Sequence, residues 1–299
     1  MRSVLTLIAN PQTRNLSDAD LDAVRRAVPE AGAPDWLARN IACDLLVDID
    51  PAELHAIEAA ARAALDGLPL DVIAQGTAHR RKALLLADMD STVIQQECID
   101  ELAEEAGIGP HVADITERAM RGELAFEPAL RERVKLLAGL PEGKMEQVFN
   151  TRITLSPGIK TVTATMRLSG AYCALVSGGF TFFTSRVAVA AGFDTNRANI
   201  LQVKDGHLTG EVSDPILGRA AKLETLKALA ADHSLTLDST MAVGDGANDL
   251  AMIEAAGLGV AYHAKPVVAQ AAPARLDHTD LTSLLYIQGF ARDEFAKAD

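Results

Sequence analysis

The sequence predicts an α/β chain: a Rossmann-like parallel-sheet core with a small helical cap inserted after its first strand, preceded by a ferredoxin-like βαββαβ domain. Three observations carry this. The short apolar runs LLLAD, AYCALVSGG and TMAVGD each end on polar or glycine residues, as strands buried on both faces of a parallel sheet do. Between the first and second lies a block, about residues 95–155, that reads as helical throughout. Residues 1–76 follow a different rhythm.

In that region SVLTLIA (3–9) reads as a strand and SDADLDAVRRAV (17–28) as a helix capped by Ser17. DWLAR and IACDLLVDI form an extended pair joined at Arg39-Asn40. A second helix starts at Pro51 with Asp50 as its cap, and LPLDVIA closes the domain as its last strand. The order βαββαβ is the ferredoxin-like arrangement. The polar stretch QGTAHRRK (75–82) reads as a linker, so the expected division is 1–76, a linker at 77–82, and a core at 83–299. Within the core, FTFFTSRVAVAAG follows the second strand as a helix. ILQVKDGHLTGEV forms a hairpin around Asp205-Gly206.

Bulk properties narrow the function. A net charge of −13 argues against nucleic acid as partner, because such binding rests on neutralising phosphates. No window of 18 apolar residues exists, so no membrane-spanning helix is expected. MRSVLTLIANP is too short in its apolar part for a secretory signal, so a cytoplasmic location is expected. Cys43, Cys98 and Cys173 are far apart and show no C-x-x-C spacing, which predicts neither a disulfide framework nor a zinc site.

The stretch LLLADMDSTVIQQE aims Asp88 and Asp90 at one point, the end of a buried strand. Like charges that close need a cation or a proton to offset their repulsion. In open α/β sheets, ligands gather beyond the carboxyl ends of the strands. The second run delivers Ser177, Gly178 and Gly179 there, a hydroxyl and free backbone N–H groups ahead of a helix, which suits a phosphate group. The third delivers Asp245, Asn248 and Asp249 in GDGAND, oxygen ligands fit for Mg²⁺ without the spacing of an EF-hand. Lys222 in GRAAKLETL supplies a fixed cation. Each piece alone is ordinary: D-x-D is mostly a solvated loop, S-G-G a turn, a single Lys a solvated helix face. Their order shares one chemical purpose.

D-x-D-S-T after a strand, then S-G-G, a Lys and G-D-G-x-N-D, resembles the haloacid dehalogenase-like phosphohydrolases over about residues 83–290. Glu97 and the cap run RGELAFEPALRERVKLL narrow the resemblance to members that act on O-phosphoserine, the last step of serine biosynthesis. Residues 1–76 resemble the ACT-like domains that precede such enzymes. The resemblance implies a Mg²⁺-dependent phosphoric monoester hydrolase. Asp88 would be the nucleophile, forming an aspartyl-phosphate. Mg²⁺ would be held by Asp88, the backbone carbonyl of Asp90 and Asp245, with Asp249 and Asn248 positioning that shell. Ser177, Gly178 and Lys222 would bind the phosphoryl oxygens. Asp90 would act as general acid and base, help on the order of 10²–10⁴-fold. Glu97 and Arg133 would read the ammonium and carboxylate, with Met120 and Phe126 shielding the substrate.

From the residues alone, Glu97 is one of five acids on a helix face with Asp100, Glu101, Glu104 and Glu105, and Arg133 stands between Arg131 and Lys135. Only the resemblance selects them. Two other functions fit the pattern less well. One is a phosphatase or phosphotransferase of the same fold for another small phosphate ester. The other is an amino-acid sensor in which residues 1–76 bind the ligand, which the intact Asp88, Asp90, Ser177, Lys222 and Asp245 set disfavours. The N-terminal domain itself is compatible with a regulatory-ligand site, a homodimer interface or neither.

Overall fold

A computed structural model describes residues 2–297. The chain divides into two compact units. One is Met1–Ala83 with Pro157–Ala171 and Ala274–Asp299; the other is Leu84–Ser156 with Tyr172–Pro273.

The first unit opens with β1 (Arg2–Ala9), α1 (Asp18–Ala27), β2 (Ala31–Ala38), β3 (Ala42–Asp48), α2 (Leu54–Ala64) and β4 (Leu70–Gly76). The strands form an antiparallel sheet in the order β2-β3-β1-β4, the expected βαββαβ arrangement. α1 starts where the sequence places it. The Ser17 hydroxyl accepts from Asp20 N–H, and the Asp20 carboxylate accepts from Ser17 N–H at 2.9 Å, so two orphan donors of the first turn are satisfied. Asp50 caps a short 3₁₀ turn, Pro51–Glu53, accepting from Ala52 N–H at 2.9 Å, and α2 follows from it. Leu5, Leu7, Leu45 and Val72 of the sheet pack on Leu21 and Val24 of α1.

The second unit begins with β5 (Leu84–Ala87), followed by α3 (Cys98–Glu105), α4 (Gly109–Met120), α5 (Phe126–Leu136) and α6 (Gly143–Arg152), which is the all-helical block. The chain then returns to the first unit as α7 (Ile159–Leu168). The second unit resumes with β6 (Tyr172–Phe180), α8 (Thr181–Ala191), β7 (Thr195–Asn199), β8 (Leu201–Lys204) and β9 (His207–Val212). It ends with α9 (Arg219–Asp232), β10 (Thr240–Gly244), α10 (Leu250–Ala255), β11 (Leu258–Tyr262) and α11 (Pro266–Ala271). β8 and β9 are the predicted hairpin, with Asp205 and Gly206 both at positive φ.

Within this unit the parallel strands run β11-β10-β5-β6-β7. β5 and β10 are buried along their whole length, as continuous apolar runs require. The register pairs Ala87 with Leu175 on one side and with Val243 on the other. The residues just beyond, Asp88, Ser177 and Asp245, therefore leave the same edge of the sheet.

The end of the chain belongs to the first unit, with β12 (Ala274–Leu276) and α12 (Ser283–Tyr286). Buried Asp71 of β4 accepts from Asp277 N–H at 2.8 Å, Thr279 N–H at 3.1 Å and the Thr279 hydroxyl at 2.6 Å. Arg80 donates to both Asp44 oxygens at 2.6 and 2.8 Å, to the Thr6 hydroxyl at 3.0 Å and to the Ile287 carbonyl at 2.9 Å. The three cysteines are buried. Among the described residues, no helix is long and apolar enough to cross a membrane.

Candidate active site

Asp88 leaves the end of β5 and the chain at once turns through Met89–Val93. Ser91 takes φ 55° there, a left-handed conformation that costs a non-glycine residue about 1–2 kcal/mol. The bonds it makes hold it in place: its hydroxyl donates to Glu97 Oε1 at 2.7 Å and its N–H to the Gln96 carbonyl at 3.1 Å. The turn carries Glu97 back to the start of α3, beside Asp90. There Asp90 Oδ1 accepts from Cys98 N–H at 2.8 Å.

The other Asp90 oxygen, Oδ2, accepts from the Ser177 hydroxyl at 2.9 Å, and Gly179 N–H donates to that hydroxyl at 2.8 Å. Both glycines, near the end of β6, sit where an added Cβ would press on a neighbouring side chain. A Cβ on Gly179 would lie 2.8 Å from Asp90 Oδ2, and one on Gly178 would lie 2.5 Å from Cζ of Phe126. Asn199, at the end of β7, pins the glycine pair from behind. Its amide donates to the Gly178 carbonyl at 2.8 Å and to the Leu217 carbonyl at 3.1 Å, and its Oδ1 accepts from Leu217 N–H at 2.6 Å. Leu217 leads into α9, whose first turn carries Lys222.

Lys222 is fully buried. Its ammonium lies 2.7 Å from Asp88 Oδ1 and 2.6 Å from Asp249 Oδ1. Burial would lower the Lys222 pKa, but Asp249 and Asp88 overcome it and raise the pKa above the usual lysine value. Asp88 Oδ1 also accepts from Met89 N–H at 2.8 Å. Asp88, Asp245 and Asp249 are all buried, with carboxylate oxygens within 4.8 Å of one another. Three carboxylates thus face one ammonium. Burial, then Asp249, pushes the Asp88 carboxyl well above its ordinary range; the same two causes raise Asp245 to about 7. Asn248 Oδ1 is buried without a hydrogen-bond partner among the described residues. An all-oxygen donor set with excess negative charge and an orphaned carbonyl oxygen fits a hard divalent cation.

The cap separates residues that the sequence leaves equivalent. Arg133 is 2% exposed, whereas Arg131 and Lys135 are exposed, Arg131 pairing with Glu127 and Asp214. Arg133 Nε donates to the Ala129 carbonyl at 3.1 Å and Nη1 to the Thr116 hydroxyl at 2.9 Å. Burial lowers its pKa, opposed by Glu97, Asp100 and Asp90. Of Glu97 and the four acids of α3, Glu97 alone lines the cleft. Glu101 and Glu105 pair with Arg152 and Asp100 bonds Thr116. Burial, then Asp90 and Asp245, raises Glu97 well above its ordinary range.

An open cleft of about 400 Å³ brings together Asp88, Asp90, Glu97, Arg133, Ser177 and Asn248, with Phe126 and Gly178 in its wall. Lys222, Asp245 and Asp249 stand behind Asp88. Met120 ends α4, and its side chain lies outside the described residues. Three supporting residues escape sequence reasoning. Thr92 donates to Asp245 Oδ1 at 3.3 Å, Asn199 pins the glycine pair, and Thr116 holds Arg133. Thr92 is the last residue of the D-x-D-S-T motif, where its role could have been found, whereas Asn199 and Thr116 carry no local signal.

Residues 85–254 match the model of the haloacid dehalogenase-like hydrolases. The chain belongs to that family. Its relatives include a phosphoserine phosphatase of Streptomyces coelicolor, 43% identical over 240 residues that cover 80% of this chain and 58% of that one. Phosphoserine phosphatase SerB2 of Mycobacterium tuberculosis is 37% identical over 310 residues, covering 99% of this chain and 76% of the relative. A solved phospho-aspartyl intermediate analogue of phosphoserine phosphatase superposes with a TM-score of 0.66 at 42% identity, over 69% of this chain and 98% of the other.

Proposed function

We propose that the chain hydrolyses O-phosphoserine to serine and phosphate through an aspartyl-phosphate on Asp88, with Mg²⁺ as its metal, and that it does so in the cytoplasm. One observation carries this reading. The Asp88 carboxylate sits on the Lys222 ammonium in a cleft that also holds an acid, a hydroxyl, a buried Arg and a half-buried Glu. Relatives that bear the name phosphoserine phosphatase support the substrate.

Lys222 and Met89 N–H both hold Asp88 Oδ1, which fixes the carboxylate and leaves Oδ2 to attack phosphorus. Asp88, the Asp90 carbonyl and Asp245 would hold the metal, with Asp249 and Asn248 beside them. When bound, Mg²⁺ would neutralise phosphoryl charge. The Ser177 hydroxyl, which donates to Asp90 Oδ2 without substrate, would turn to a phosphoryl oxygen. That move frees Asp90 Oδ2 to carry the proton given to the leaving serine oxygen, and later to accept one from water. Gly178 N–H and Lys222 bind the remaining phosphoryl oxygens, where charge is spread. Glu97 would take the substrate ammonium and Arg133 its carboxylate, with Phe126 and Met120 covering it. Every residue named lies in the expected core at 83–299, past the 1–76 domain and its linker.

The test is phosphate release from a panel of small phosphate esters, with Mg²⁺ and with chelator. Phosphoserine should be hydrolysed fastest, and only with metal. Equal rates on esters lacking the ammonium or the carboxylate would leave a general small-ester phosphatase, and metal-independent release would remove the metal from the reading.

A further inference from the structure

The Arg133 guanidinium presents a problem of chemistry. It is buried in the cap with three acids around it, Glu97, Asp100 and Asp90, all acting on its charge. A guanidinium forms its strongest bonds in parallel pairs to a carboxylate. An Arg free to move here would close on one of these acids and offer nothing to a ligand. Among the described residues it forms no ion pair. Its two bonds go to neutral oxygens, the Ala129 carbonyl on its own helix and the Thr116 hydroxyl on α4.

Thr116 Oγ1 lies 2.6 Å from Asp100 Oδ1 and 3.1 Å from the Val112 carbonyl of its own helix. A hydroxyl has one hydrogen to give. The Arg133 N–H occupies an Oγ1 lone pair, so the hydroxyl hydrogen goes to the nearer acceptor, the Asp100 carboxylate. The result is a relay from Arg133 through Thr116 to Asp100, running α5 to α4 to α3. The hydroxyl keeps guanidinium and carboxylate apart while linking them. Two of the five guanidinium N–H groups are used, which leaves three, on Nη1 and Nη2, for a carboxylate in the cleft.

We infer that Thr116, backed by Asp100, is a positioning residue that holds Arg133 ready for the substrate carboxylate and prevents it from pairing with the cap's own acids. The inference rests on the proposal that Arg133 reads that carboxylate. Thr116 touches no substrate; it acts only through Arg133.

The experiment compares KM and kcat on phosphoserine and on phosphoethanolamine, which lacks the carboxylate. Thr116→Val keeps the side-chain shape and removes the hydroxyl. It should raise KM for phosphoserine about tenfold, the effect of one lost bond to a charged group, with kcat much less affected. KM for phosphoethanolamine should hardly move. Thr116→Ser, which restores the hydroxyl, should return KM for phosphoserine toward wild type. Asp100→Asn should show the same split at smaller size, and it carries the test should Thr116→Val fail to fold. Equal losses on both substrates, or failure of Thr116→Ser to rescue, would overturn the inference and leave Thr116 as cap packing. Arg133→Lys runs in parallel. If it selectively weakens phosphoserine while Thr116→Val does not, positioning by Thr116 is wrong and the Arg133 reading stands. If Arg133→Lys weakens both substrates alike, the Arg133 reading fails and the inference with it.

Discussion

Asp88 and Asp90 stand two residues apart and answer to different partners. Asp88 meets an ammonium and a backbone N–H through one oxygen; Asp90 divides its oxygens between Cys98 N–H and the Ser177 hydroxyl. Asp88→Asn should therefore abolish phosphate release while the melting temperature holds, because an amide is no nucleophile. Near-normal release would remove Asp88 from the chemistry. Asp90→Asn keeps the nucleophile and loses the acid and base, so rapid quench with labelled substrate should find phosphoenzyme that forms slowly and then persists. The metal-free site also makes stability depend on pH. Folding raises Asp245 from 3.8 to about 7 and raises Asp88 in the same direction. A carboxyl raised on folding adds stability that is whole below its unfolded pKa and is lost as pH climbs through the folded one. Chelated protein should thus melt lower above about pH 8 than near pH 6, and added Mg²⁺ should raise the melting temperature more at the higher pH. A metal-induced rise that is larger at the lower pH would contradict this charge balance. The motif residues other than Lys222 were legible in the sequence because each sits within a few positions of a strand end. Arg133 was not, since burial distinguishes it from Arg131 and Lys135 and burial depends on which face of α5 meets α4.

At the level of elements, α5 and the glycine pair near the end of β6 meet at Phe126 and Gly178. Gly178→Ala places a methyl group 2.5 Å from Cζ of that ring, and overpacking of this kind costs about 1–3 kcal/mol. The expected outcome is a loss in kcat/KM for phosphoserine together with a melting temperature lower by several degrees, at about 2–4 °C per kcal/mol. Phe126→Leu in the same chain should recover part of it, as residues in contact are not additive. Purely additive losses would mean that ring and glycine do not meet in the working enzyme. Strands and helices were legible from period and cap: Ser17 starts α1 and Asp205-Gly206 turns the hairpin as read. Asp50 shows the limit of such signals. It caps, but a 3₁₀ turn comes between it and α2.

Across the whole molecule, the reach of residues 1–83 was hidden from the sequence. Nothing local to Asp71 announces that it will hold the backbone of residues 277–279, or to Arg80 that it will bond Asp44 and the Ile287 carbonyl. Asp44→Ala should leave kcat/KM intact and lower stability by about 3–5 kcal/mol, the cost of stranding a largely buried guanidinium. Deleting residues 1–76 spares every catalytic residue and strips partners from 274–299. The shortened chain should still release phosphate but melt lower by roughly 10 °C, at 2–4 °C per kcal/mol for a chain of this size. An unchanged melting temperature would show that 274–299 needs no partner from the N-terminal domain. The discontinuity of the first unit also sets a timetable. Its four-stranded sheet is made before 84–273, yet the segment that bonds Asp71 and Arg80 is made only after the whole of 84–273. At about 5–20 residues per second, Asp71 waits on the order of ten seconds or more for its partners, and Arg80 as long for the Ile287 carbonyl, with Asp44 and Thr6 already beside it. A nascent chain arrested before Ala274 should expose the first unit to protease while Leu84–Ser156 already resists it.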